Sequence, residues 1–156
     1  MMMSFNIDIE KIINLLIENE NAISQLYKLF SDKFEGASVF WAGLSIEEKG
    51  HASHIRMLLE KVEKGEFVAD LKRFDAQIIQ QNVEYMNLLI EKFKKESLSL
   101  QDALSIAKSI EESIIENNYF NILDKDSIEV KRILQFLKGE TESHLRRLQE
   151  YRSKES

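Results

Sequence analysis

On the stretch Trp41, Leu44, Glu48, His51, Ile55, Leu58, Val62 the spacing alternates three and four residues without a break. That is the seam of a helix facing a core, and Glu48 and His51 stand in the middle of it. A second stretch repeats the pattern through Val130, Ile133, Leu137, Glu140, His144, Leu148 and Tyr151. An unpaired carboxylate in a dry core costs several kcal/mol, so inward-facing acids are paired, neutralised or bound to a metal. Carboxylate oxygens and imidazole nitrogens on two facing helices suit iron or manganese, and also zinc.

Glu48-Lys49-Gly50-His51 is a Glu-x-x-His element. Residues three apart share a helix face, so both side chains can reach one ion or two adjacent ones. Such a pair alone arises often by chance in acidic helices. Glu20 alone reads as a core-edge acid with a lysine partner, and His51 alone as a satisfied core histidine. Together they carry more weight, because the acids and both histidines fall on apolar stripes at matching points of a repeat. Glu20 lies on the stripe Ile9, Ile13, Leu16, Ile23, Tyr27, Phe30, Phe34. It precedes Tyr27 by seven residues, as Glu112 precedes Tyr119. Tyr27 precedes His51 by 24 residues, and Tyr119 precedes His144 by 25. Glu112, however, follows Ser105 and Lys108 on its own stripe, while the apolar stripe of that segment runs through Ala103, Ala107, Ile110 and Ile114. His54 sits beside Ser53 at the edge of its stripe and reads as solvent-facing or as an outer neighbour of a site.

Five helical segments must position these residues. The first runs from about Asn6 or Asp8 to Lys33, the second from about Ala37 to Lys64, stopped by Gly65. A connector over roughly Glu66 to Phe74 leads to a third, about Asp75 to Lys95. Ser99 with Asp102 marks the start of a fourth, running to about Leu123. The turn Asp124-Lys125-Asp126, capped by Asp126 or Ser127, precedes a last helix from about Ser127 to Arg152. Two helical hairpins joined by one long crossover is a known four-helix-bundle topology.

Composition supports that class. The 156 residues, 44% of them hydrophobic, suffice for one domain with a sizeable core, taken as 1–156. There are no prolines and five glycines, so little interrupts the helices. A net charge of −6, with no basic block interleaved with aromatics, argues against nucleic acid or an anionic membrane as partner. The absence of cysteine excludes disulfides, thiolate metal sites and a cysteine nucleophile. With no signal-peptide pattern and no run as long as a membrane span, the expectation is a soluble, cytoplasmic protein.

Glu20 with Tyr27, Glu48-x-x-His51, Glu112 with Tyr119 and the histidine-bearing last helix at His144 together resemble the ferritin-like superfamily. Within it they resemble the rubrerythrin-like di-iron domains, over about Ile9 to Arg152. The resemblance implies Glu20 and Glu112 as terminal or bridging carboxylates, and Glu48, His51 and His144 as ligands on the second and fourth bundle helices. It implies two iron ions, with manganese or zinc as alternatives, and a homodimer. It also implies a non-haem oxidoreductase reducing peroxide or dioxygen, fed by an external electron donor. The family pattern asks for glutamate at 141, where this chain has Thr141; Glu140, four residues before His144, is still on the same helical face as that histidine, about 40° off it in projection. Glu140 is therefore taken as the substitute ligand. Glu116, one turn beyond Glu112, ranks lower because Asn117 and Asn118 mark a wetter face. Without cysteine, the rubredoxin-type centre of full rubrerythrins cannot form in this chain. Two further readings stay open, and Thr141 favours both: a metal-binding module without turnover, and a metal-free bundle kept for protein interaction.

Overall fold

The computed structural model describes the backbone of residues 2–67 and 75–155, and side chains from Ile9 onward apart from 68–74. The regular elements are five α-helices: α1 (Met2–Lys33), α2 (Ser38–Glu63), α3 (Ala76–Lys95), α4 (Leu100–Glu116) and α5 (Ile128–Glu155). A single 3-10 turn, Glu35–Ala37, links α1 to α2. The described residues contain no strand, and their regular structure is all-helical, as expected. Among them no helix is long and apolar enough to cross a membrane. The expected connector falls largely on residues 68–74, outside the described chain.

The helix ends follow local chemistry. Gly65, with φ of 72°, closes α2 where a left-handed residue is needed. The Asp75 carboxylate accepts from the N–H groups of Gln77 and Ile78 and starts α3. Ser99 Oγ accepts from Asp102 N–H at 3.0 Å at the start of α4, and Ser127 Oγ accepts from Val130 N–H at 3.2 Å at the start of α5. α4 is shorter than expected. It ends at Glu116 rather than near Leu123, because Asn117 bonds back to the Ser113 carbonyl and Asn118 takes a left-handed φ of 52°. Asparagine tolerates that conformation. The loop beyond turns inward and buries Tyr119 and Phe120.

α1 and α2 form one hairpin and α4 and α5 another; α3 joins them and packs on α1, while α2 packs on α5. The α1 seam is buried at Ile9, Ile13, Leu16, Glu20, Ile23, Tyr27 and Phe30, and the α2 seam at every position named from the sequence. Along α5 the buried seam runs through Thr141 instead of Glu140. The Thr141 hydroxyl satisfies itself on the Leu137 carbonyl at 2.9 Å, which a carboxylate could not do. Near the α1–α2 turn, Trp41 lies 4.9 Å from Phe30 and 5.4 Å from Tyr27, centroid to centroid.

Two serines set the register of the first hairpin. Ser24 Oγ donates to the Ser45 carbonyl and Ser45 Oγ donates to the Ser24 carbonyl, each at 2.8 Å. The helices are antiparallel, so one turn back along α1 and one turn forward along α2 lead to the same level. Glu20 and Glu48 meet there. The antiparallel register of α2 on α5 is marked at both ends. Phe40 stacks on Tyr151 at 4.1 Å, and Lys61 pairs with Glu129.

Candidate metal centre

Five ionisable side chains from four helices meet in the middle of the bundle: Glu20 from α1, Glu48 and His51 from α2, Glu111 from α4 and His144 from α5. None is more than 2% exposed. Glu48 is central. Its Oε1 stands 2.8 Å from His144 Nδ1, and its Oε2 stands 3.3 Å from His51 Nδ1. His51 Nδ1 also lies 3.7 Å from Glu20 Oε2, and His144 Nδ1 lies 3.4 Å from Glu111 Oε1. The two imidazole rings are 5.0 Å apart and inclined by 26°. The Tyr27 hydroxyl donates to Glu111 Oε1 at 2.9 Å.

Two expected positions differ. Glu112 is outside the cluster: its side chain is 40% exposed and 3.7 Å from Lys108, one turn earlier. Its neighbour Glu111 points inward instead. The signal was present in the apolar stripe of α4, since Glu111 lies four after Ala107 and three before Ile114. The repeat with Tyr119 pointed to Glu112, but Tyr119 stands past the end of α4, where helical spacing no longer applies. Its hydroxyl meets Asn82 and not the cluster. Glu140 is at the rim, 29% exposed, with Oε1 at 3.7 Å from His51 Nε2. Glu116 is exposed, and His54 bonds back to the Gly50 carbonyl at 2.8 Å.

The electrostatics are those of a site short of positive charge. Among the described residues, no lysine or arginine forms an ion pair with Glu20, Glu48 or Glu111. Burial, and then the Glu48 charge, push the Glu20 carboxyl well above the usual carboxylate range. Burial works against charge on both histidines. The carboxylates of Glu20 and Glu48, at 3.7 and 3.3 Å, outweigh it at His51, raising it to about 11. Those of Glu111 and Glu48 do so at His144, raising it to about 10. Burial, followed by the Glu111 charge, keeps the Tyr27 phenol protonated far up the pH scale. Protons thus supply the positive charge that the acids demand.

No protein-family model, curated protein or solved structure matches this chain. The donor set must therefore speak for itself. Glu48, His51 and His144 each offer an atom within 4.8 Å of the others. Five buried atoms of the cluster accept or donate no hydrogen bond: Glu20 Oε2, Glu48 Oε2, His51 Nε2, Glu111 Oε2 and His144 Nε2. Buried polar atoms are seldom left so, and the three carboxylate oxygens among them are a concentration that an ion between the acids would relieve. The acids and imidazoles present fit a hard or borderline divalent cation and offer no thiolate.

Proposed function

We propose that this chain is a metal-binding helical bundle of the ferritin-like, rubrerythrin-like kind, holding two iron or manganese ions and reducing peroxide or dioxygen. The observation that carries the reading is the layer of unpartnered carboxylate oxygens converging with two imidazoles at the centre of the bundle. Glu20, Glu48 and His51 would hold one ion, and Glu48, Glu111 and His144 the other. Glu48 belongs to both sets because each of its oxygens faces a different histidine. Two ferrous ions, when bound, supply one electron each, the pair needed to take peroxide to water.

The chain's own residues do the rest. Three carboxylates would offset three of the four positive charges of two divalent ions. Tyr27 holds Glu111 in place through a donor that stays protonated. A cavity of about 320 Å³ is lined in part by Thr141, Ile114, Phe120 and Lys138. It lies about one turn from His144 along α5 and one turn from Glu111 along α4, offering a small oxidant an approach on the side where Thr141 replaces a carboxylate. Re-reduction needs an external electron donor.

Thr141 favours a second reading, metal binding without turnover, because the second ion would have one protein ligand fewer. Elemental analysis of anaerobically purified chain tests the first step: about two equivalents of iron or manganese are expected, as carboxylate bundles of this type bind. Glu48→Ala and His51→Ala should lose them. Unchanged metal in both variants would defeat the assignment. Loss of added peroxide on mixing with ferrous-loaded chain separates turnover from storage.

A further inference from the structure

Each histidine of the cluster has two ring nitrogens, and the structure treats them differently. Both Nδ1 atoms face the buried acids, His51 toward Glu48 and Glu20, His144 toward Glu48 and Glu111. Both Nε2 atoms face outward to a rim carboxylate on the opposite helix. His51 Nε2, on α2, lies 3.7 Å from Glu140 Oε1 on α5. His144 Nε2, on α5, lies 3.7 Å from Glu47 Oε1 on α2. Neither Nε2 has a hydrogen bond at these distances, although both are buried.

The arrangement is reciprocal. Glu47 precedes His51 by four residues on α2, and Glu140 precedes His144 by four on α5. Each helix therefore carries a Glu-x-x-x-His unit in which the glutamate serves the other helix's histidine. The antiparallel register makes this geometric: the alignment that stacks Phe40 on Tyr151 also sets residue 47 opposite 144 and residue 51 opposite 140. Glu47 is further tied by Arg147, whose guanidinium donates to both its oxygens at 2.8 and 2.9 Å. That fork fixes the carboxylate plane and holds Glu47 below the usual carboxylate range. Beside the other pair, the Phe136 ring lies 6.4 Å from His51 and nearly perpendicular to it.

We propose that Glu47 and Glu140 are positioning residues: each holds the proton on Nε2 of the opposite helix's histidine, so that Nδ1 is left as the metal-binding atom. An imidazole that ligates through one nitrogen carries its proton on the other, and an acceptor there fixes both tautomer and ring orientation. This inference rests on the metal reading above, and it gives Glu140 a role outside the ligand set. It also accounts for Glu47, an acid the sequence pattern did not single out.

The test uses the full chain loaded with Zn(II), which is diamagnetic. Long-range proton–nitrogen NMR spectra should show both histidines with the proton on Nε2 and the metal on Nδ1. Glu140→Ala should leave the number of bound ions unchanged and weaken affinity about tenfold to a hundredfold, the usual effect of losing such a partner. Glu140→Gln, which keeps an acceptor oxygen, should restore most of it. The ring signals of His51 should move in Glu140→Ala and those of His144 in Glu47→Ala, with helix content by circular dichroism confirming that both variants fold. A fall in stoichiometry would make Glu140 a direct ligand and overturn the inference. So would metal on Nε2, or affinity unchanged in both alanine variants. A wild-type chain that takes up no Zn(II) would defeat the metal reading and this inference with it; uptake by the wild type with indifferent variants would defeat this inference alone.

Discussion

Glu20→Gln separates an acid that awaits a cation from one that holds the bundle together. Glu20 is buried, its Oε2 makes no hydrogen bond, and its charged neighbour His51 stands at 3.7 Å while Glu48 is nearer that ring at 3.3 Å. With its carboxyl pushed up by burial and by Glu48, the metal-free chain favours the neutral acid at this position. Glutamine copies the neutral acid in shape and hydrogen-bonding capacity. The metal-free variant is therefore expected within about 1 kcal/mol of wild type, a shift in Tm of no more than about 2–4 °C for a domain of this size. Were Glu20 instead an ionised partner essential to His51, breaking the buried pair would cost about 3–5 kcal/mol, or roughly 6–20 °C. With Mn(II) at a hundred times its Kd, wild type should gain about 2.7 kcal/mol, or about 5–11 °C. A tenfold weaker site removes about 1.4 kcal/mol of that gain, so the metal-induced rise in the variant should be half or less. Thermal unfolding followed by circular dichroism, with and without Mn(II) at neutral pH, reads both quantities. A large loss in the metal-free variant, or an undiminished response to Mn(II), would refute the reasoning.

Glu111→Ala and Glu112→Ala should diverge although the residues adjoin: the first is expected to weaken metal binding at least about tenfold by removing a facing carboxylate, the second to leave it unchanged; isothermal titration with Mn(II) compares them. In the metal-free chain the histidines' raised values mean that their stabilisation is complete below about pH 6.5 and is lost as pH rises through about 10 for His144 and about 11 for His51. A bound cation replaces those protons, so the Tm difference between loaded and metal-free chain should widen from neutral to alkaline pH, and loading should release protons into a weak buffer. Thr141→Glu should lower the metal-free Tm by burying another acid and raise metal affinity by returning a carboxylate to the α5 seam; a variant stable without metal and indifferent to it would contradict both halves.

The helices were legible because their seams are. The alternating three-four spacing of Ile9 to Phe30 and of Trp41 to Val62 survives into the structure with every position buried. Ser99 acts as the cap it resembles, and Gly65 terminates α2. Choices between neighbours were less legible. Glu111 and Glu112 sit about 100° apart on α4, and the spacing to Tyr119 selected Glu112, which lies outside the buried cluster, because Asn118 had already ended the helix. Glu140 and Thr141 both fit a seam between Leu137 and His144. The deciding factor was that threonine can close its hydroxyl on its own helix, whereas a carboxylate must find a partner across the bundle. The pairing of Glu47 with His144 was hidden for another reason. It depends on the register between α2 and α5, which contacts far apart in sequence establish and no single stripe records.

The position of the polar layer decides how the proposed metal binding would couple to folding. On α2 the Glu48–His51 turn has Trp41 and Leu44 on one side and Ile55, Leu58 and Val62 on the other, all buried. On α1, Ile13 and Leu16 precede Glu20, with Ile23, Tyr27 and Phe30 following, none more than 1% exposed. Each fully buried side chain of this kind contributes about 1.5–3 kcal/mol, so the apolar turns on either side can offset one charged layer. The Ser24–Ser45 exchange and the Phe40–Tyr151 stack fix helix register without help from the site. The cage is thus built by the bundle, unlike small zinc-dependent domains, which have no fold without their ion. Stripping the chain with a chelator should therefore leave its helix content intact and lower its Tm by only the binding term; collapse of helicity on chelation would show that the ion, and not the flanking core, assembles the site.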